Sequence, residues 1–157
     1  MGDFTHIEIG FDDDRNARFR LLWDEAPQTC SAIAKALPHA GEAQHAVCSG
    51  PAAVFFFERE VPAMPENATT SPAVGELLYT YYPPNWRRGY PDHTSEVYWF
   101  YSAGGRPTVP GLFVPAMASV FALAEGPAEE FEEFCAWSAS LHREGFKPVR
   151  AVAKTLP

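Results

Sequence analysis

Alternation with a period of two recurs along this chain in short pieces bracketed by glycine, proline or acidic turn residues. In FTHIEIGF, Thr5, Ile7, Ile9 and Phe11 fall on one face and His6, Glu8 and Gly10 on the other; in ARFRLLW, Phe19, Leu21 and Trp23 oppose Arg18, Arg20 and Leu22. A helix, with its period of 3.6, scatters such a pattern around its axis, whereas a strand gathers it onto one buried face. DDDRN between the two pieces reads as a hairpin turn. GELLYTYYP repeats the theme, with Leu77, Tyr79 and Tyr81 opposing Leu78, Thr80 and Tyr82, and EVYWFY sets Glu96, Tyr98 and Phe100 against Val97, Trp99 and Tyr101. The 15 prolines and 11 glycines cut the chain finely, as multistranded β proteins are cut.

Two segments depart from that period. Residues 27–37 carry Cys30, Ile33, Ala34 and Leu37 at helical spacing, with Pro27 suited to a first helical position and Pro38 ending the element. After Gly126-Pro127, the residues Phe131, Phe134, Cys135, Ser138 and Leu141 form a helical stripe. Glu129 and Glu130 sit in the favourable first turn, His142 and Arg143 in the last, and Gly145 in the capping position. Further strands are expected in HAVCSG, PAAVFFFERE, SVFALAEG and FKPVRAVAK. The unbroken apolar run Ala52 to Phe57 implies burial on both faces, and Pro148 implies an edge or a bulge. The order is two strands, a helix, about five strands, a helix and a last strand. So many antiparallel strands remove their edges by closing, and two amphipathic helices suit the open ends. The expected fold is therefore mainly β with two helices, a closed or nearly closed antiparallel β barrel in a single domain, residues 1–157.

Size and charge narrow the functions. At 157 residues the chain buries a core without staples, and apolar residues make up 46% of it. Its formal charge of −8, with clusters at Asp12, Asp13, Asp14 and at Glu129, Glu130, Glu132, Glu133, disfavours phosphate backbones and anionic lipid heads. No window approaches the ~20 apolar residues of a bilayer span, and the N-terminal stretch lacks the features of an export signal. Neither nucleic acid nor membrane is expected as a partner, and the cytoplasm is the expected compartment. Cys30, Cys48 and Cys135 are scattered, without CxxC spacing, and read as buried thiols rather than a disulfide framework or zinc site. The sequon at Asn67 is read as idle.

EAPQTCSAIAKALP resembles the NPTA…LP helix of small bacterial cyclophilin-like proteins. AQHAVCSGPAAVFFF resembles that family's tryptophan-or-serine-glycine turn entering a strand, and PAVGELLYTYYPP its GDLAYYP strand. Over residues 3–153 the chain is similar to the cyclophilin-like barrel and, within it, to the uncharacterised bacterial DUF3830 group. It departs at the helix cap, where Ala26-Pro27 replaces Asn-Pro and leaves Asp24 as a substitute. The resemblance implies a barrel whose relatives include prolyl isomerases and subunits of amide- and lactam-processing enzymes. The isomerases' Phe-His-Arg word is missing, and the only glutamines are Gln28 and Gln44, so isomerase activity ranks below the other readings; Arg87, Arg88 and Arg106 are the arginines available to polarise an amide.

The richest chemical stretch is RRGYPDHTSEVYWFY, residues 87–101. Trp86, Arg87, Tyr90, Asp92 and His93 precede a strand bearing Glu96 and Tyr98, a mixture of polar and aromatic groups typical of ligand pockets. Equally, the charged members would form weak surface pairs while Val97, Trp99 and Tyr101 fill the barrel. The pocket reading makes Tyr81, Trp86, Arg87, His93, Glu96, Tyr98 and Arg106 ligand-binding, with Arg87 or Arg106 as counter-ion to a small anionic or amide-bearing molecule and Tyr81, Trp86 and Tyr98 as walls. The alternative is an accessory or interaction subunit, with Leu112, Phe113 and Val114 in an exposed patch that would also serve a homodimer. His93 with Asp92 and Glu96, His45 with Cys48, and His6 with Glu8 contain metal-ligand types at spacings that are not diagnostic, so no metal or cofactor is expected. Cys48-Ser49-Gly50 is the one word suited to nucleophilic catalysis, and a tight turn explains it as well.

Overall fold

The computed structural model describes residues 3–11 and 16–157. Asp12, Asp13 and Asp14, and with them most of the expected DDDRN turn, lie outside that range. The described strands are β1 (His6–Gly10), β2 (Asn16–Leu21), β3 (His39–His45), β4 (Ala52–Phe56), β5 (Ala68–Thr69), β6 (Glu76–Tyr82), β7 (Thr94–Phe100), β8 (Ala118–Glu125) and β9 (Lys147–Lys154); the helices are α1 (Pro27–Ala36) and α2 (Ala128–Glu144). All pairings are antiparallel. They run β2, β1, β9, β3, β4, β7, β6, β8, and β8 returns to β2 through Arg18 opposite Glu125 and Leu21 opposite Ala122, which closes an eight-stranded barrel. The short β5 continues the β2 side of β8, pairing Ala68 with Ser119.

Alternation sorts the side chains as the sequence implies. Ile7, Ile9, Phe19, Leu21, Ala53, Phe55, Leu77, Tyr79, Val97, Trp99 and Phe121 point into the barrel. The two helices stopper this core. At one end Phe134 of α2 packs on Phe11, Phe19 and Trp99, with ring centroids 5.6, 5.9 and 5.1 Å apart, and the Trp99 indole N–H donates to Ser138 Oγ at 2.8 Å. α1 presents Cys30 and Ile33 to the same core, and the Cys30 thiol donates to the Phe121 carbonyl at 3.4 Å. Burial pushes that thiol up to about 12, so it packs as a small neutral group. The Gly145 N–H donates to the Leu141 carbonyl and closes α2, at a φ of 83° that a glycine adopts without strain.

Several expectations need correction. The strand expected in HAVCSG lies one segment earlier, at His39–His45. Residues 46–51 form instead the turn into β4, with the Ala46 N–H bonded to the Ala52 carbonyl and Gly50 at φ 90°. β5 was not foreseen, because two residues hold no period. Asp24 does not cap α1. The Ala26 cap position makes no side-chain bond, and the Thr29 N–H donates instead to Glu66 Oε1 at 2.5 Å, from a loop 37 residues downstream. Glu66 is itself held by its N–H on Ser119 Oγ at 3.1 Å. Pro148 pairs with Glu42 of β3, while β1 reaches only Arg150 to Lys154, so the missing N–H falls where β9 has one partner. Among the described residues no helix is long and apolar enough to cross a membrane.

Candidate functional site

The outward faces of β4, β6, β7 and β8 are also apolar. Ala52, Val54, Leu78, Tyr98, Phe100, Ala118 and Val120 form a second cluster outside the barrel wall. This is the second buried face that the run Ala52 to Phe57 requires. The loop from Tyr101 to Met117 shields part of it: Gly105 lies so close over Phe100 that a Cβ there would sit 2.1 Å from the ring. That loop turns back on itself in a narrow hairpin, with the Val109 N–H on the Val114 carbonyl at 2.8 Å and a bridge between Thr108 and Pro115. Thr108 Oγ1 meets Ser49 Oγ at 3.0 Å, and the Arg106 N–H donates to the Ser49 carbonyl at 3.0 Å, which ties the hairpin to the β3–β4 turn.

Between hairpin and turn lies a cavity of about 150 Å³, floored by Val54, Phe56, Glu96 and Tyr98 and walled by Ala46 to Ser49 on one side and Thr108, Pro110 and Gly111 on the other. Gln44 and Thr94 add an amide and a hydroxyl. Among the described residues Glu96 is the one carboxylate that lines it, and none of the lining side chains is cationic. Register explains the position: Glu96 stands between Phe56 on β4 and Thr80 on β6, and Tyr98 between Val54 and Leu78. The Tyr98 hydroxyl is engaged with Thr80 Oγ1 at 2.8 Å. No hydrogen bond or ion pair to the Glu96 carboxyl is found among the described residues. Burial alone therefore governs it and pushes it up to about 8. Burial first, and the nearby Glu96 second, also raise the phenols of Tyr82 and Tyr98.

Of the seven residues read as ligand-binding, Glu96 and Tyr98 line this cavity; the other five lie elsewhere. Tyr81 and His93 belong to the opposite face. The Tyr81 hydroxyl donates to the Glu60 carboxylate, which pushes the phenol up to about 12. His93 spans Ser95 Oγ at 2.9 Å and the Glu58 carbonyl at 2.8 Å, and Ser95 Oγ accepts the Val61 N–H at 3.1 Å. Since a carbonyl only accepts, Nε2 carries the proton and Nδ1 takes that of Ser95. The set is a clasp holding the 58–61 loop on β7. Trp86 packs between Tyr82 and Tyr90, centroids 4.4 and 5.3 Å away, with Arg87 over the Tyr90 ring at 5.2 Å. Arg106 is exposed and donates to Ser71 Oγ at 3.0 Å. The expected counter-ion is thus absent from the cavity wall, because the loop before β7 folds Arg87 onto its own aromatics. Gln44, Cys48, Thr94 and Thr108 also line the cavity; they come from three separate segments, and no local pattern brings them together. His93 and Glu96 point to opposite faces of β7, and among the described residues no three His, Cys, Asp or Glu side chains gather.

A closed antiparallel eight-stranded barrel with two helical stoppers and an outer-wall cavity under a loop hairpin defines the class of this protein. The chain belongs to the DUF3830 family of proteins of unknown function, whose family model matches residues 12–151. Among curated proteins none matches the sequence. Several solved structures share the fold, two of them as follows. The hypothetical protein AF2241 from Archaeoglobus fulgidus, a solution structure, is 17% identical with a TM-score of 0.57, over 97% of this chain and 96% of that one. McbB, in complex with tryptophan, is 13% identical with a TM-score of 0.65, over 96% of this chain and 45% of that one, so this chain spans under half of McbB.

Proposed function

We propose that the protein binds a small amide-bearing molecule, such as a lactam, in the Glu96 cavity. The observation that carries this reading is an unpartnered carboxyl at the floor of an apolar cavity. Below about pH 8 that group is neutral and offers one O–H donor beside one carbonyl acceptor. A cis-amide presents the complementary acceptor and donor side by side, so the two close a pair of hydrogen bonds shielded from water by Val54, Phe56 and Pro110. A carboxylate ligand is disfavoured, since among the described residues no cation lines the cavity to offset the loss of water around its charge. The anionic half of the expected ligand class is therefore dropped and the amide half kept.

The test is calorimetry with a panel of small lactams, amines and carboxylates, tryptophan included because McbB was solved with it. Lactam binding is expected at pH 6.5, with at least a tenfold loss in Glu96→Ala. Glu96→Gln retains a donor and an acceptor and should bind within a few-fold. In the wild type lactam affinity should fall as the pH rises through 8, and in Glu96→Gln it should not. Equal lactam binding by Glu96→Ala, or no binding by the wild type, refutes the reading.

A second reading, an accessory or interaction subunit, is favoured by the exposed apolar residues Phe113, Val114 and Met117, at 82%, 51% and 55% exposure on and beside the hairpin. The same residues would serve a homodimer. The order of elements supports kinship with cyclophilin-like barrels, and isomerase activity ranks below both readings because among the described residues no guanidinium lines the cavity. Three free cysteines fit a reducing compartment such as the bacterial cytoplasm.

A further inference from the structure

A different pocket lies on the far side of the β3–β4 turn, where β3 ends against the last turn of α2. It has a volume of about 470 Å³ and is lined by His45, Tyr101, His142 and Arg143 together with small residues of the turn. His45 Nδ1 lies 2.8 Å from the Ala46 carbonyl, and its Nε2 lies 2.7 Å from the Tyr101 hydroxyl oxygen. The carbonyl is an acceptor only, so Nδ1 carries the hydrogen and the Nε2 lone pair faces Tyr101. The His142 ring sits against His45, with centroids 4.8 Å apart and planes at 71°.

We propose that His45 Nε2, the Tyr101 oxygen and His142 form a binding site for a divalent late transition-metal ion, with zinc as the reference. Three observations converge on it. First, the spacings suit one ion: donors held at ~2.0–2.1 Å with angles of 90–110° stand about 3 Å apart, and the centroids of two imidazoles on one zinc about 5 Å apart. Second, His45 is already oriented as metal-bound histidines are, its remote N–H anchored on a backbone carbonyl, which fixes the tautomer and the ring. Third, the site adjoins the C-terminal end of α2, where the negative end of the helix dipole favours a cation. Arg143 is the one opposing charge among the groups facing the pocket, and it is exposed, with room to swing into water. Two imidazoles and a phenol select zinc or copper over magnesium or calcium. The third donor is a tyrosine rather than a carboxylate or a thiol.

The test is titration of the whole chain with Zn²⁺ alone, followed by calorimetry and by the histidine Cε1–H resonances at pH 7.5. One equivalent should bind saturably and move the His45 and His142 signals together. His142→Ala should weaken binding at least tenfold. With Cu²⁺, a phenolate-to-copper absorption band should develop and be missing in Tyr101→Phe, a variant that keeps the ring and so the packing. An affinity unchanged in His142→Ala, or shifts confined to His6, His39 and His93, overturns the proposal. Neither result bears on the Glu96 cavity, whose wall this site does not use for ligation.

Discussion

Glu96 shows how one side chain sets the pH behaviour of a fold. Its carboxyl is held at about 8 in the folded chain against an ordinary value of 4.5, so between those limits the folded state keeps a proton that the unfolded state has lost. The unfolded state binds fewer protons there, and stability falls as the pH rises from about 5 to 8. Glu96→Gln removes this dependence. The variant and the wild type should melt together at pH 5, and at pH 8.5 the variant should melt at least about 3 °C higher, equivalent to ~1 kcal/mol in a chain of this size. Scanning calorimetry at the two pH values decides it; equal melting points at pH 8.5 would show that the carboxyl is solvated. Glu96 and Tyr98 were legible in the sequence because alternation puts them on one face of one strand. Arg87 and Arg106 misled, because a guanidinium in a loop points wherever the loop's own packing sends it, here onto Tyr90 and Ser71.

At the scale of elements, each helix carries a polar contact with a distant segment that its own sequence does not announce. The carboxylate of Glu66 replaces the missing side-chain cap of α1, so Glu66→Ala should cost about 1 kcal/mol, read from chemical denaturation. Asp24→Ala should cost far less, since Asp24 is not the cap. Ser138 Oγ takes the Trp99 N–H at 2.8 Å and donates to the Phe134 carbonyl at 2.9 Å; Ser138→Ala would leave an indole N–H buried without a partner and should cost ~1–3 kcal/mol. Trp99→Phe in that background should not add the same polar penalty again. The stripes of both helices were plain in the sequence, since a period of 3.6 stands out among strands. The start of β3 was not: His39, Ala40, Gly41 and Glu42 carry no apolar alternation, and pairing with β9 makes them a strand.

At the scale of the molecule, closure makes each barrel strand answerable to two neighbours. β9 joins β1 to β3, so removing residues 147–157 would expose the edges of both and uncover Val149 and Ala151, which lie in the core. The truncated chain should fail to give a dispersed amide spectrum and should aggregate; a folded, monomeric truncation would mean that the sheet does not need the ring.

Local patterning alone determined the elements that alternate strongly, the two helices, their order, and hence a barrel with stoppers, because burial of one face per element is a local demand that the sequence must write at every second or every third and fourth position. It also placed Glu96 beside Tyr98. Only the tertiary structure decided where the barrel wall carries a second apolar layer, which loop folds back to cover it, that Glu66 would cap a helix 37 residues away, and that His45, Tyr101 and His142 would meet. Those contacts join segments far apart in the chain. They arise from closure of the ring and the paths of its loops, and no period in a single segment encodes them.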